Sequence, residues 1–174
     1  AATSKTVYPS PPCELETRTK VMRGVDGNDI ELFITRPKKQ VHELPCIVYT
    51  HGGGMAMTDS THPRTVYHRE LLACQGLVVV GVEFRNAAGK RGPHPFPAGL
   101  NDCYSGLQFV HNNREALNIS NIVLCGPSGG GNLCLATAIK ANGGGMVDGV
   151  YSLCPYLSGA GSGLRKPVRS LGES

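Results

Sequence analysis

Four continuous runs of apolar residues, separated by segments with helical spacing, constrain the fold of this chain more than any other feature. Continuous apolar runs are typical of strands that are buried on both faces of a parallel sheet. The runs lie at residues 46–50, 77–84, 121–125 and 149–153, and the helical segments at 67–74, 100–110 and 133–141. Strands that alternate with helices form βαβ units. The sequence therefore predicts an α/β fold, with a mostly parallel sheet and helices on both faces.

Two further strand-like runs precede this pattern, at residues 17–23 and 30–35. The residues Asp26, Gly27 and Asn28 between them favour a hairpin turn. In the later run, one set of alternate residues is uniformly aliphatic, which predicts a half-covered antiparallel strand near a sheet edge.

Composition divides the chain into three parts. Residues 1–16 contain three prolines and predict an irregular lead-in. Residues 17–157 carry the strand and helix pattern and predict the folded core, since 174 residues fit one domain of ordinary size. Residues 158–174 are rich in Gly, Ser and Arg and predict a poorly ordered tail.

The charge pattern argues against binding of nucleic acid. The net charge is +4, and the basic residues are scattered apart from residues 38–39 and the tail, whereas nucleic-acid binding needs a clustered basic face. No apolar stretch approaches membrane-spanning length and no signal peptide opens the chain. We therefore expect no nucleic-acid partner, no membrane span and a cytoplasmic location. An organelle, reached with a transit peptide that is then removed, stays an alternative.

Seven cysteines occur singly along the chain, several of them inside apolar runs. The absence of a CxxC pair argues against a zinc knuckle or a redox dithiol. An odd, dispersed set of cysteines predicts buried free thiols in a reducing compartment.

Residues 126–130 contain the pattern G-x-S-x-G around Ser128. A buried strand is predicted before it and a helix after it, the context in which this pattern forms a strained turn that lifts the serine hydroxyl above the sheet. Gly126 and Gly130 are needed because side chains there would collide. The following helix aims its N-terminal amides at the same point. The pattern predicts a nucleophile; a phosphate-binding turn is the alternative, although the Lys-Ser/Thr ending of a P-loop is missing.

A second glycine-rich segment, the glycine loop (residues 51–54, His-Gly-Gly-Gly), directly follows the first buried strand. Consecutive glycines let the backbone approach a ligand and turn N–H groups toward it, and ligands of open α/β sheets bind at the carboxyl ends of strands. Acyl transfer builds negative charge on a carbonyl oxygen, and each backbone donor to it is worth about 3–4 kcal/mol of barrier. We therefore expect the amides of Gly53, Gly54 and Gly129 to form an oxyanion hole beside Ser128.

Four motifs, in this order, resemble those of the hormone-sensitive-lipase-like carboxylesterases of the α/β-hydrolase superfamily. They lie at residues 51–54, 82–87, 94–102 and 126–133. The resemblance implies an α/β-hydrolase fold, of which residues 17–157 form the N-terminal part. It implies hydrolysis of small-molecule esters with short to medium acyl chains, without cofactor or metal. It also implies that Ser128 is the nucleophile and that Gly53, Gly54 and Gly129 form the oxyanion hole.

The other polar residues of these motifs are predicted to be structural. His51 is expected to hydrogen-bond the backbone rather than to carry protons. Arg85, His94 and Asp102 match family positions that brace the loops around the site.

The sequence departs from the family pattern at two points. Pro127 precedes the serine, where family members carry an acidic residue, and proline fixes φ and removes an N–H. The catalytic residues of this fold follow the order serine, acid, histidine. Downstream of Ser128 the only acids are Asp148 and Glu173, and there is no histidine. A serine without a base is a poor nucleophile.

Two interpretations fit these departures. The chain is a fragment, a truncated gene product or the ordered part of a longer protein, without the Asp/His half of the fold, or it is a non-catalytic α/β-hydrolase-like subunit of a larger assembly. If the 174 residues are the whole molecule, the sheet ends after the strand at residues 149–153 and leaves an apolar edge open to pairing. We therefore expect a dimer contact or a partner chain to cover this edge.

Overall fold

The computed structural model of the protein describes residues 8–40, 42–89, 92–142 and 144–157. Its strands are β1 (Leu15–Arg23), β2 (Asp29–Pro37), β3 (Leu44–Tyr49), β4 (Val78–Val82), β5 (Ile119–Pro127) and β6 (Gly149–Leu153). Its helices are α1 (Pro63–Ala73), α2 (Ala98–Asn112), α3 (Arg114–Leu117) and α4 (Gly129–Ala141). Every strand-like run and helical segment singled out in the sequence overlaps one of these elements.

The strands of the described residues form one sheet in the order β1-β2-β4-β3-β5-β6. β4, β3, β5 and β6 run parallel to one another, while β2 pairs antiparallel with β4 and β1 pairs antiparallel with β2. The predicted mostly parallel sheet is confirmed. Tyr49 at the end of β3 pairs with Cys125 near the end of β5. The segments that follow these two strands therefore meet at one edge of the sheet.

The core lies on both faces of the sheet, because successive strand residues point to opposite sides. Val80 packs in a cluster with Leu107 of α2 and Leu133 of α4, whereas Val79 packs with Ala73 of α1. Helices on both faces were predicted and are observed. Among the described helices, α1 alone packs on the second face, against β2 and β4, and its Ala73 lies in one buried cluster with Cys125 of β5. The same face of β6 has no covering helix within the described residues.

The prediction that residues 30–35 form an antiparallel strand near a sheet edge is confirmed, since β2 is second from the edge, but the expectation that this strand is half-covered is wrong. β2 is paired on both sides, with β1 and β4. Thr35 is buried, and the guanidinium of Arg69 lies 5.1 Å from the ring centroid of Phe33. The reason is the position of α1, which covers the face that alternation alone assigned to solvent.

The prediction of free thiols throughout is also wrong, because Cys13 and Cys74 form a disulfide. The bond joins the lead-in to the residue that caps the end of α1, with a sequence separation of 61 and a Cα–Cα distance of 5.7 Å. Spacing along the chain gives no sign of such a contact. Four other cysteines are free and buried as expected, and Cys154 is exposed: the buried ones are Cys46, Cys103, Cys125 and Cys134.

The three-part division of the chain stays a prediction. β1 begins at Leu15, two residues inside the predicted lead-in, and the predicted tail at residues 158–174 lies outside the described residues. Within the described part of the chain, no helix combines the length and apolar character needed to cross a membrane. The predicted cellular location stays a prediction.

Candidate active site

Ser128 lies on the turn between β5 and α4, where it is the N-cap residue of the helix. Its backbone angles, φ 53° and ψ −121°, are a conformation that costs energy for a residue with a side chain. The flanking glycines make the turn sterically possible. A Cβ at Gly126 would lie 2.5 Å from the carbonyl oxygen of Thr50, and one at Gly130 would lie 2.3 Å from it. The turn thus has the strained geometry predicted from the G-x-S-x-G pattern.

The hydroxyl of Ser128 is accessible, since the residue is exposed and its side chain makes no hydrogen bond within the described residues. The backbone, by contrast, is fixed on two sides. The N–H of Ser128 donates to the carbonyl oxygen of Leu153 in β6 at 2.8 Å, and its own carbonyl accepts from the N–H of Asn132 in α4 at 3.1 Å. Strand and helix therefore hold the turn while the hydroxyl stays open to a ligand.

The glycine loop after β3 lies directly against this turn. A Cβ on Gly129 would lie 2.9 Å from the Cα and 3.0 Å from the N of Gly54, and one on Gly52 would lie 3.8 Å from the Cβ of Ser128. Gly53 and Gly54 have positive φ angles, +110° and +63°. Gly52, Gly53 and Ser128 line a shared cavity of about 350 Å³, the serine cavity. The structure thus brings all four predicted site residues together at one edge of the sheet.

His51 holds the Gly52–Gly53 peptide of the glycine loop. Its ring is buried and stacks on Phe84, with centroids 4.2 Å apart. Nδ1 lies 2.7 Å from the carbonyl oxygen of Gly52, which can only accept, so Nδ1 carries the proton and donates it. Burial lowers the pKa of His51, and the ring is therefore neutral at neutral pH. This geometry agrees with a structural role.

Arg85 and Asp102 form a bidentate ion pair away from the Ser128 hydroxyl. Nε and Nη2 of Arg85 each lie 2.8 Å from one carboxylate oxygen. Asp102 is buried on α2, and its hydrogen bonds raise the pKa of the Arg85 guanidinium. Asp26 in the β1–β2 turn adds a second ion pair to Arg85, and the N–H of His94 donates to the carbonyl of Asn86 at 3.1 Å. These contacts join the hairpin, the segment after β4 and α2, which is a bracing role.

Pro127 ends β5 without breaking the pairing with β6. It lies opposite Leu153, and the hydrogen bond to the Leu153 carbonyl is donated by the N–H of Ser128, not by residue 127. The N–H that proline lacks is therefore not needed for this contact. The proline is compatible with the strained turn.

The serine cavity is also lined by three basic side chains that the sequence analysis did not predict, and these are His62, Arg64 and His68. Nδ1 of His62 accepts the N–H of Arg64 at 3.3 Å and caps α1. Nδ1 of His68 lies 3.4 Å from the hydroxyl of Tyr49, and burial, together with the charge of Arg64, lowers its pKa. The sequence prediction began this helix at residue 67. Pro63, a helix-starting residue, was the signal for the earlier start.

The acid downstream of the serine does not lie at the site. The carboxylate of Asp148 accepts the N–H of Ile122 at 2.8 Å and pairs with Arg114 at 3.3 Å, near the opposite end of β5. The hydrogen bond from Ile122 lowers its pKa. Glu173 lies outside the described residues. Within those residues, no histidine hydrogen-bonds the hydroxyl of Ser128.

Comparisons with known proteins agree with this geometry. Residues 47–170 match the family described as the alpha/beta hydrolase fold. Tuliposide A-converting enzyme 2, chloroplastic, of Tulipa gesneriana is 31% identical over 170 residues, covering 89% of this chain and 42% of the relative. Carboxylesterase NlhH of Mycobacterium tuberculosis is 32% identical over 149 residues, covering 84% of this chain and 44% of the relative.

Among solved structures, brefeldin A esterase, a bacterial homologue of human hormone sensitive lipase, is 42% identical with a TM-score of 0.84. The match covers 90% of this chain and 44% of that one. The chain thus spans less than half the length of these relatives. Fold and motifs together confirm the predicted resemblance: the chain belongs to the α/β-hydrolase fold family and is similar to its hormone-sensitive-lipase-like carboxylesterases.

Proposed function

We propose that this chain carries the nucleophile and the oxyanion hole of a serine carboxylesterase that acts on small-molecule esters. The observation that carries the proposal is the contact between two separate glycine stretches, because the glycine loop after β3 packs against Ser128 and Gly129 after β5. Acyl transfer requires an accessible hydroxyl beside backbone amides that can bind the oxyanion, and these glycines place three such amides close to Ser128. Relatives named as esterases support the same reaction class.

In the proposed reaction, Oγ of Ser128 attacks the carbonyl carbon of the ester and its proton passes to a base. The carbonyl oxygen gains negative charge and accepts hydrogen bonds from the amides of Gly53, Gly54 and Gly129. The last of these opens α4, so the helix dipole adds to the stabilisation. Collapse of the intermediate expels the alcohol, which takes the proton from the base. Water then attacks the acyl-enzyme in the same way, releases the acid and restores the hydroxyl.

We propose that the base comes from polypeptide outside the described residues. His62 and His68 line the serine cavity, but neither ring hydrogen-bonds the Ser128 hydroxyl within the described residues. The relatives named above are more than twice as long as the matched region. A polypeptide that corresponds to the rest of these relatives would be long enough to supply an acid–histidine pair.

An open apolar groove beside the site is where we expect this polypeptide to dock. The groove encloses about 240 Å³ on the α1 side of the sheet, and its lining includes Tyr49, Leu72, Cys125, Tyr151 and Leu153. Tyr151 and Leu153 are 61% and 49% exposed and share one face of β6, and an apolar patch of this kind marks an interaction site. The groove shares Pro127 and Leu153 with the serine cavity. A segment that fills the groove would therefore lie beside the serine cavity.

Labelling with a fluorophosphonate tests the nucleophile directly. We expect one adduct, located at Ser128 by peptide mass mapping and absent from Ser128→Ala. Ser10→Ala, which removes another exposed serine, is the matched control and keeps the adduct. Loss of catalytic residues other than the nucleophile still leaves about 10³–10⁴-fold rate enhancement in serine hydrolases, so slow labelling is expected even without the base. A folded protein that stays unlabelled contradicts the proposal and favours the non-catalytic subunit.

A further inference from the structure

Thr58 has a backbone conformation that threonine rarely adopts. Its φ is +65°, in the left-handed region that favours glycine, where a β-branched residue is an outlier. Such strain persists only where surrounding contacts hold it, and it clusters at functional sites. Thr58 also lines the serine cavity. The contacts of its side chain and carbonyl explain why the strain is held.

The hydroxyl of Thr58 points back to the glycine loop. It donates to the carbonyl oxygen of Gly52 at 2.7 Å and lies 3.1 Å from Nδ1 of His51. The carbonyl of Thr58 accepts the side-chain amide of Asn86 at 3.1 Å. Asn86 is buried in the segment after β4, so Thr58 is anchored from one side while its hydroxyl holds the loop on the other.

The carbonyl of Gly52 and the N–H of Gly53 belong to one peptide unit. The unit is planar and trans, so the N–H points away from the C=O, and fixing the carbonyl fixes the direction of the N–H. The carbonyl accepts two hydrogen bonds, from the His51 ring and from the Thr58 hydroxyl. Because hydrogen bonds in a chain polarise one another, the N–H of Gly53 becomes a stronger donor.

We propose that Thr58 is a positioning residue for the oxyanion hole. Its hydroxyl orients the Gly52–Gly53 peptide so that the Gly53 N–H faces the oxygen that gains charge. The inference rests on the proposed function and extends it to a residue outside every motif of the sequence. Glycine at position 58 would relieve the strain but lose the hydroxyl, and this role explains why a threonine is held there.

Three variants of the protein separate the hydroxyl from the shape of the side chain. Thr58→Val removes the hydroxyl and keeps the shape, and Thr58→Ser keeps the hydroxyl. Thr61→Val is the control, since the Thr61 hydroxyl donates to Asp59 at 2.6 Å, outside the glycine loop. The readouts are the second-order rate constant for fluorophosphonate labelling of Ser128, the amide NMR signal of Gly53 and the thermal midpoint.

We expect Thr58→Val to label about 10- to 100-fold more slowly, part of the effect of losing one oxyanion donor, and to shift the Gly53 signal. Thr58→Ser and Thr61→Val should stay near the wild-type rate and signal. Wild-type labelling by folded Thr58→Val, or equal loss in Thr58→Ser, would overturn the inference. If Ser128 is inert in the wild type, the proposed function fails separately. The Gly53 amide signal then decides the inference alone. A shift that occurs in Thr58→Val but not in Thr58→Ser or Thr61→Val supports the positioning role, and an unchanged signal in Thr58→Val rejects it.

Discussion

The contrast between Gly53→Ala and Gly54→Ala tests the oxyanion hole at neighbouring positions of one loop. Both glycines have positive φ, yet their surroundings differ. A Cβ on Gly53 would lie 2.1 Å from the carbonyl oxygen of Met57 and 2.7 Å from Oγ1 of Thr58, whereas one on Gly54 would meet nothing within 4 Å. The two substitutions therefore add the same methyl group with different consequences for the loop.

The size of the effect follows from the contact distance. Real Cβ atoms essentially never approach a heavy atom closer than 3.0 Å, so alanine at position 53 must shift the loop by about 0.9 Å (3.0 minus 2.1). A misplacement of about 1 Å costs on the order of 10²-fold in rate, similar to losing one oxyanion donor. At position 54, φ +63° lies in the left-handed region that alanine can enter at a cost of about 1–2 kcal/mol of stability. Its N–H keeps its direction.

The assay is the second-order rate constant for fluorophosphonate labelling of Ser128, measured with the thermal midpoint of each variant. We expect Gly53→Ala to react about 10²-fold more slowly than wild type, and Gly54→Ala to react at a similar rate to wild type despite a lower midpoint. Equal rates for folded Gly53→Ala and wild type would refute the placement of the glycine loop in the oxyanion hole. Equal loss in both variants would refute the steric reasoning.

Three further predictions concern stability and association. Cys13→Ser opens the loop closed with Cys74 and should lower the free energy of unfolding by about 4 kcal/mol in chemical denaturation, as loop-closure entropy gives for this separation. The pKa values of His51 and His68 are lower in the folded protein than in the unfolded chain. Below about pH 6.5 the unfolded chain therefore binds more protons than the folded protein, so the free energy of unfolding should decrease as the pH falls below this value and stay constant above it. Leu153→Lys places a charge in the open groove and should reduce self-association of the isolated chain in light scattering.

Each of these predictions has a matched control. Cys154→Ser removes an exposed free thiol and should leave the denaturation curve unchanged. For the pH dependence the comparison variant is His51→Gln, which removes one of the two histidines and should reduce the dependence. Ile139→Lys charges another exposed apolar residue, 77% accessible on α4, and should not affect association. A monomeric wild-type chain in solution would contradict the expectation that the groove attracts a partner.

The sheet and the site were predictable where the signal is local. Continuous apolar runs mark β3, β4, β5 and β6 because strands of a parallel sheet are covered on both faces. The two glycine stretches meet because the carboxyl ends of β3 and β5 share one edge of the sheet, as Tyr49 and Cys125 show. Order along the chain and strand direction were enough to bring Ser128 next to the glycine loop.

Features that depend on contacts between distant residues were not predictable in the same way. The Cys13–Cys74 bond requires the lead-in to cross the end of α1, and no spacing rule contains that information. Coverage of β2 by α1 depends on packing, not on the alternation within β2. The proposed role of Thr58 depends on its positive φ and on the hydrogen bond from its hydroxyl to the carbonyl of Gly52. A single threonine in a loop sequence indicates neither of them.

The disulfide encloses part of the proposed active site in a covalent ring. Cys13 and Cys74 enclose residues 14–73, so the glycine loop belongs to the ring while Ser128 lies outside it. A protease cut between β2 and β3, at residues 38–43, would leave both pieces tethered through sulfur. The nicked molecule would migrate as one band on a non-reducing gel and as two after thiol treatment. The glycine-loop amides and Ser128 therefore stay in one covalent molecule even when the backbone is cut between residues 38 and 43.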